Sequence, residues 1–115
     1  MRVKWMALPA VCIAALMACA AMAADVNWHD SVETAREGAR ERGKPVVIEF
    51  HSAGCGPCAQ MAEVTLADDA VSAVIAGQFE AVRLNALRQP DLATKYLVSF
   101  YPTVKFVDAD GVSVY

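Results

Sequence analysis

Two cysteines with two residues between them, in Cys55-Gly56-Pro57-Cys58, constrain this chain more than any other feature of its sequence. An apolar, β-branched run lies just before them at residues 46–50, and a helical pattern follows from Pro57, a residue that suits the first turn of a helix. We therefore expect the pair to lie where a strand ends and a helix begins. A helix N-terminus carries partial positive charge, which stabilises a thiolate, and the thiolate is the nucleophile of disulfide exchange. The motif favours thiol–disulfide redox chemistry, with a static disulfide as the alternative.

The first 24 residues have the pattern of a secretory signal peptide. A basic start is followed by an apolar stretch at residues 11–18 and by a small-x-small cleavage site at residues 21–23. The apolar stretch is too short to favour a permanent membrane span. A lipoprotein is the alternative, because residues 16–19 resemble a lipobox in which Cys19 would carry a lipid anchor. Both interpretations predict an exported protein, either free in the periplasm or anchored through Cys19.

The region that follows, residues 25–115, is long enough for one small domain. Loss of the leader, which carries two basic residues and no acidic one, lowers the net charge from −3 to −5. No run of Lys or Arg remains, which argues against nucleic acid as a partner. A zinc site would need two ligands besides the cysteine pair, and only His29 and His51 offer nitrogen. We therefore expect one disulfide and neither a metal nor a cofactor.

Hydrophobic periodicity and capping residues predict an alternation of helices and strands, which implies an α/β domain with a mixed sheet. The predicted elements are a helix capped by Asp30 and ending near Arg42, a strand at 46–50, a helix from Pro57, a helix at 70–76 capped by Asp68 or Asp69 and closed by Gly77, a strand at 79–84, a helix at 91–96, a strand at 103–107, and a strand at 112–115 after a hairpin turn at Asp110-Gly111.

These features together resemble the thioredoxin family over roughly residues 28–115. The Cys-Gly-Pro-Cys stretch after an apolar strand, Tyr101-Pro102-Thr103 before another strand, and Asp110-Gly111 at a hairpin are all typical of thioredoxins. The opening at Trp28 is closer to exported thioredoxin-like domains, such as those of membrane thiol–disulfide interchange proteins. The resemblance implies a thioredoxin-like fold with a mixed central sheet flanked by helices. We expect its C-terminal helix to be missing, because the sequence stops at Tyr115, and we interpret the domain as incomplete or as completed by a partner.

The same resemblance assigns roles to the residues of the motif. Cys55 would be the thiolate that attacks a substrate disulfide, and Cys58 would be the thiol that resolves the mixed disulfide. Gly56 and Pro57 would form the active-site loop, which Pro57 stiffens by fixing φ.

Glu49 lies in the apolar strand, where a carboxylate is costly unless it is paired or protonated. Thioredoxins have an acid at the matching position, which implies that Glu49 is the general base for Cys58, assisted by a water. The alternative is an edge-facing Glu49 that binds a surface lysine. Arg83 occupies the place of a thioredoxin lysine and would either pair with Glu49 or face solvent.

Pro102 matches the proline that thioredoxins hold in cis, with an ordinary trans proline as the alternative. Tyr101, Pro102 and Thr103 would then contact the substrate. The chain departs from the family at His51, which replaces a tryptophan, and at Phe100, which replaces a glycine. His51 would either stabilise the Cys55 thiolate and make the disulfide more oxidising, or be a polar residue bonded to backbone.

The resemblance therefore implies an exported protein-disulfide reductase that acts on disulfides in exported proteins. A membrane thiol–disulfide electron transducer would recharge it, because the periplasm is oxidising. Two alternatives stay open: a periplasmic thiol oxidase or isomerase, and a non-catalytic thioredoxin-like adaptor.

Overall fold

The structure is a computed structural model that describes residues 25–115. The predicted signal peptide and the candidate lipid-anchor residue Cys19 lie outside the described residues. Within them the elements follow in the order β1 Trp28–His29, α1 Val32–Arg42, β2 Val46–His51, α2 Gly56–Gln60, a π-helical turn Met61–Thr65, α3 Asp69–Gln78, β3 Glu80–Asn85, α4 Pro90–Lys95 and β4 Thr103–Val107.

The four strands form one sheet in the order β1-β3-β2-β4. Strands β1, β2 and β3 are parallel, and β4 runs antiparallel to β2. Helices α2 and α3 make the crossover between β2 and β3, which parallel strands require. The predicted α/β fold with a mixed central sheet flanked by helices is confirmed.

Alternate residues of the central strand β2 serve the two faces of the sheet. Val46, Ile48 and Phe50 are fully buried and pack in one cluster with residues of α1 and α4. Val47 packs on the other face in a second cluster, which includes Ile75 of α3. The odd-numbered positions of β2, Glu49 among them, therefore point toward the face that α2 and α3 cover.

Helix α1 begins one residue later than predicted. Its N-cap is Ser31, which has an extended backbone and a side chain that accepts a hydrogen bond from the Thr34 N–H at 3.1 Å. The prediction of Asp30 as the cap was wrong, because the serine side chain next to it satisfies the free N–H groups of the first turn. The end of the helix is as predicted, with Gly43 in the left-handed conformation at φ 66°.

Other boundaries also differ from the prediction. Strand β1 was missed, since two residues are too few to show a period. Helix α3 is capped by Asp68 as one of the two predictions stated, but it runs through Gly77 to Gln78. The segment after Asp110-Gly111 makes one bridge, between Val107 and Ser113, instead of a strand. Within residues 25–115 no helix follows β4, as expected, and no helix is long and apolar enough to cross a membrane.

Glu80 at the start of β3 binds side chains of both β1 and α1. It is 7% exposed and binds His29 Nε2 at 2.6 Å and the guanidinium of Arg42 at the end of α1. The hydrogen bond from Arg42 outweighs the effect of burial and lowers the pKa of Glu80 from 4.5 to about 2. This carboxylate therefore stays ionised and joins three elements at one point.

Candidate active site

The two cysteines of the motif lie where β2 leads into α2. Cys55 is the N-cap of α2 and forms a disulfide with Cys58, whose Cα lies 5.2 Å away. The Cys58 backbone N–H donates a hydrogen bond to Cys55 Sγ at 3.2 Å. Cys58 is 5% exposed, whereas Cys55 is partly exposed. Cys55 therefore presents the accessible sulfur, and a free N–H group of the helix start already points at it.

The segment predicted to contact substrate lies against the same sulfur. The Tyr101–Pro102 peptide bond is cis, as the resemblance implied. The Tyr101 carbonyl oxygen lies 3.9 Å from Cys55 Sγ. Thr103 Oγ1 donates a hydrogen bond to the Phe100 carbonyl at 2.6 Å. This bond joins the residues on either side of Tyr101-Pro102. Residues 101–103 and the disulfide thus meet, and the substrate-binding role of this segment stays a prediction.

Glu49 is 1% exposed and lies in the central strand. Its Oε2 accepts hydrogen bonds from His51 Nδ1 at 3.0 Å and from Arg83 Nε at 3.3 Å. Its Oε1 is buried and has no hydrogen-bond partner among the described residues. The alternative of an edge-facing Glu49 bound to a lysine was therefore wrong. Of the two positions considered for Arg83, the structure has the one paired with Glu49.

The register of the sheet explains why these three side chains meet. Glu49 in β2 lies opposite Arg83 in β3, and His51 follows two residues later on the same face. The His51 side chain binds Glu49, which neither prediction for it had considered. A carboxylate oxygen only accepts hydrogen bonds, so the Nδ1 of His51 carries the proton in this contact.

Trp28 is a further part of the site that the sequence did not reveal. The Arg83 guanidinium lies over the Trp28 ring, 5.4 Å from its centre. Strand β1 places the ring there by pairing Trp28 with Ala81 of β3. The tryptophan stood out in the sequence, but its partner Arg83 is 55 positions later, and only the missed strand β1 brings the two together.

A cavity of about 440 Å³ opens beside the disulfide. Its wall includes both cysteines of the disulfide, together with His51 and Arg83. The rest of its wall consists of small residues, namely Ser52, Gly54, Gly56, Ala59 and Ala62.

Comparison with known proteins agrees with this arrangement. The thioredoxin-like family model matches residues 27–109, and the chain therefore belongs to the thioredoxin-like family. Among curated proteins it is 36% identical over 62 residues to a chloroplastic M-type thioredoxin of Pisum sativum, a match that covers 54% of this chain and 34% of the relative. The chain spans less than two thirds of the length of the curated relatives it matches.

Two solved structures show the same fold. A DsbH oxidoreductase superposes with a TM-score of 0.74 at 20% identity, over 81% of this chain and 72% of the other. A putative disulphide-isomerase from Bacteroides thetaiotaomicron gives a TM-score of 0.69 at 25% identity, over 81% of this chain and 79% of the other. The chain therefore has the fold of this family and carries a Cys-x-x-Cys disulfide within it.

Proposed function

We propose that this chain is an exported thiol–disulfide oxidoreductase that reduces disulfides in exported proteins through a Cys55–Cys58 cycle. The observation that carries the proposal is the asymmetry of the pair. Cys55 Sγ is accessible and accepts an N–H bond at the start of a helix, while Cys58 is buried one turn further along. Two-step disulfide exchange needs an accessible, stabilised thiolate that attacks the substrate and a shielded thiol beside it that resolves the mixed disulfide.

The cycle starts from the dithiol form. The Cys55 thiolate attacks one sulfur of a substrate disulfide, which forms a mixed disulfide and releases the other substrate sulfur as a thiolate. The Cys58 thiolate then attacks Cys55 Sγ, which closes the Cys55–Cys58 disulfide and releases the second substrate thiolate. Two electrons pass from the protein to the substrate, and an electron donor must return the protein to the dithiol form.

Cys58 must lose a proton before it attacks, and Glu49 is the proposed acceptor. Its Oε1 accepts no hydrogen bond from residues 25–115, whereas Oε2 is engaged by Arg83 and His51. We expect Glu49→Gln, which keeps the shape of the side chain, to slow release of the mixed disulfide by roughly a hundredfold. Formation of the mixed disulfide should stay fast. Stopped-flow tryptophan fluorescence with a peptide disulfide separates the two steps, and equal slowing of both would reject Glu49 as the acceptor.

Insulin-disulfide reduction by the mature protein tests the whole proposal. Cys55→Ser should abolish it, and Cys58→Ser should trap a mixed disulfide with substrate that mass spectrometry detects. Ser72→Ala is the control, because the Ser72 hydroxyl binds the Leu66 carbonyl and not the disulfide. This variant should keep its activity. A well-folded wild-type protein that reduces nothing and traps nothing would favour the non-catalytic adaptor.

The direction of electron flow rests on the Gly-Pro dipeptide between the cysteines, which is shared with thioredoxins. Thioredoxin itself has a reduction potential of about −270 mV, against about −180 mV for protein disulfide isomerase. We expect the Cys55–Cys58 couple to equilibrate with glutathione near the lower value. A potential near the higher one would favour the oxidase or isomerase function.

Export and the electron donor are supported by sequence alone. The leader pattern in the first 24 residues supports export to the periplasm, with Cys19 as an alternative lipid anchor. A reductant in an oxidising compartment needs a supply of electrons, for which a membrane thiol–disulfide electron transducer is the proposed source. Mass spectrometry of the N-terminus of the secreted protein would distinguish cleavage near residue 24 from lipidation at Cys19.

A further inference from the structure

The cavity beside the disulfide has the size of a small-molecule site. Its 440 Å³ lies within the range of about 300–1,000 Å³ that such sites occupy. It exists because five of the residues in its wall have side chains no larger than a serine hydroxymethyl or an alanine methyl. Both cysteines also line it, so a molecule bound there touches the redox centre.

Arg83 is held in the wall of this cavity in a defined orientation. Its Nε donates a hydrogen bond to Glu49 Oε2, and its guanidinium carbon lies over the Trp28 ring, 5.4 Å from the ring centre. The two terminal nitrogens, Nη1 and Nη2, have no acceptor among residues 25–115, and the side chain is 33% exposed. A guanidinium with fixed orientation and unused N–H groups suits a planar carboxylate, which it binds through paired hydrogen bonds.

The charges around the cavity favour an anion. Arg83 and His51 are the ionisable side chains in its wall besides the cysteines, and no acidic residue lines it within the described part of the chain. The carboxylate that faces them, Glu49, is 1% exposed and already binds both through Oε2. An incoming carboxylate therefore meets the unused N–H groups of Arg83 and no competing surface acid.

We propose that this cavity binds a low-molecular-mass disulfide that carries a carboxylate, with the carboxylate on Arg83 and the disulfide against Cys55. The inference rests on the proposed function, because it adds a small-molecule substrate class to the same redox centre. The Cys55 thiolate attacks the small disulfide and one carboxylate thiol leaves. The Cys58 thiolate then displaces the second, so that one protein disulfide and two small thiols are formed and two electrons pass to the ligand.

The first test compares three small disulfides as oxidants of the reduced protein: dithiodipropionate with two carboxylates, neutral dithiodiethanol, and cationic cystamine. Each rate is divided by the rate of the same disulfide with dithiothreitol, which removes intrinsic differences in reactivity. We expect the carboxylate compound to be favoured by about tenfold over the neutral one, the value of one charge-assisted hydrogen bond. Arg83→Gln should abolish this preference. Arg88→Gln removes the same charge from an exposed position outside the cavity wall and should retain the preference.

A second measurement does not depend on catalysis. Thiodipropionate has the same carboxylates but no disulfide, so it binds the oxidised protein without reacting. In an NMR titration it should shift the Arg83 Nε–H and the Gly56 amide, and neutral thiodiethanol should not. An unchanged preference in Arg83→Gln, or no shift with thiodipropionate, overturns the cavity assignment. If none of the disulfides reacts but thiodipropionate still binds at Arg83, the proposed redox function fails and the cavity assignment stands.

Discussion

Replacing Glu80 by glutamine should lower the stability of the fold in a pH-dependent way. In the folded protein the Arg42 hydrogen bond lowers the pKa of Glu80 to about 2 from 4.5. One unit of pKa is about 1.4 kcal/mol, so the difference sets a ceiling of about 3 kcal/mol on the contribution of the ionised group. The Arg42 side chain is 48% exposed, and solvent screening weakens its attraction. We therefore expect a contribution of about 1–2 kcal/mol.

The sign follows from proton binding. Between pH 4.5 and about 2 the unfolded chain binds a proton at Glu80 that the folded protein does not, so stability rises with pH in this range. The stabilisation by ionised Glu80 is complete above its pKa in the unfolded chain, 4.5, and is lost as the pH falls toward 2. Glutamine has the shape of the protonated acid and cannot ionise. The difference in stability between wild type and Glu80→Gln should thus be largest at neutral pH and vanish near pH 2.

Urea unfolding followed by circular dichroism at several pH values between 7 and 2.5 measures this difference. Glu41→Gln is the matched control, because Glu41 lies 3.6 Å from the same Arg42 but is 73% exposed. It should change the free energy of unfolding by less than about 0.5 kcal/mol at any pH. A wild-type advantage over Glu80→Gln that stays constant from neutral to acid pH would show that ionisation of Glu80 contributes nothing.

Three further substitutions test the fold by urea midpoints at neutral pH. Asp68→Ala removes the acceptor of the Ala70 and Val71 N–H groups at the start of α3 and should cost about 1 kcal/mol, whereas no loss would deny its role as a cap. Leu97→Gly should raise stability by up to about 1 kcal/mol, because Leu97 has φ 54° and is 84% exposed; a lower midpoint would contradict this. Phe50→Ala should cost about 3–5 kcal/mol by opening a cavity in a fully buried position, and a loss below 1 kcal/mol would contradict the packing.

The sequence predicts much of the fold because local signals agree with the tertiary structure. The buried strand before the cysteine motif and the helix that starts within it were both predicted, and so was the end of α1 near Arg42. The missed elements are those that local signals specify weakly. The two residues of β1 are held by their register with β3 and by the contact of His29 with Glu80, and both partners are distant in sequence.

The site was predicted less completely for the same reason. The spacing of the cysteines identifies them as site residues in the sequence. Glu49 is identified because it is a carboxylate in an apolar strand. The contact between His51 and Glu49 follows from strand alternation and could have been anticipated. The position of Trp28 under Arg83, and the cavity beside the disulfide, depend on how separate strands and helices are placed together. No local pattern contains that information.

The alternation along β2 has a consequence for engineering this protein. Positions 46, 48 and 50 pack in the first hydrophobic cluster, while Glu49 and His51 bind each other on the opposite face of the sheet. Substitutions at positions 49 and 51 can accordingly alter this pair without touching the first hydrophobic cluster, whereas Val47 belongs to the second cluster and must stay apolar. Insertion of a single residue in this strand would exchange the two sets, turning a glutamate and a histidine into the core and leaving valine, isoleucine and phenylalanine beside the sulfurs.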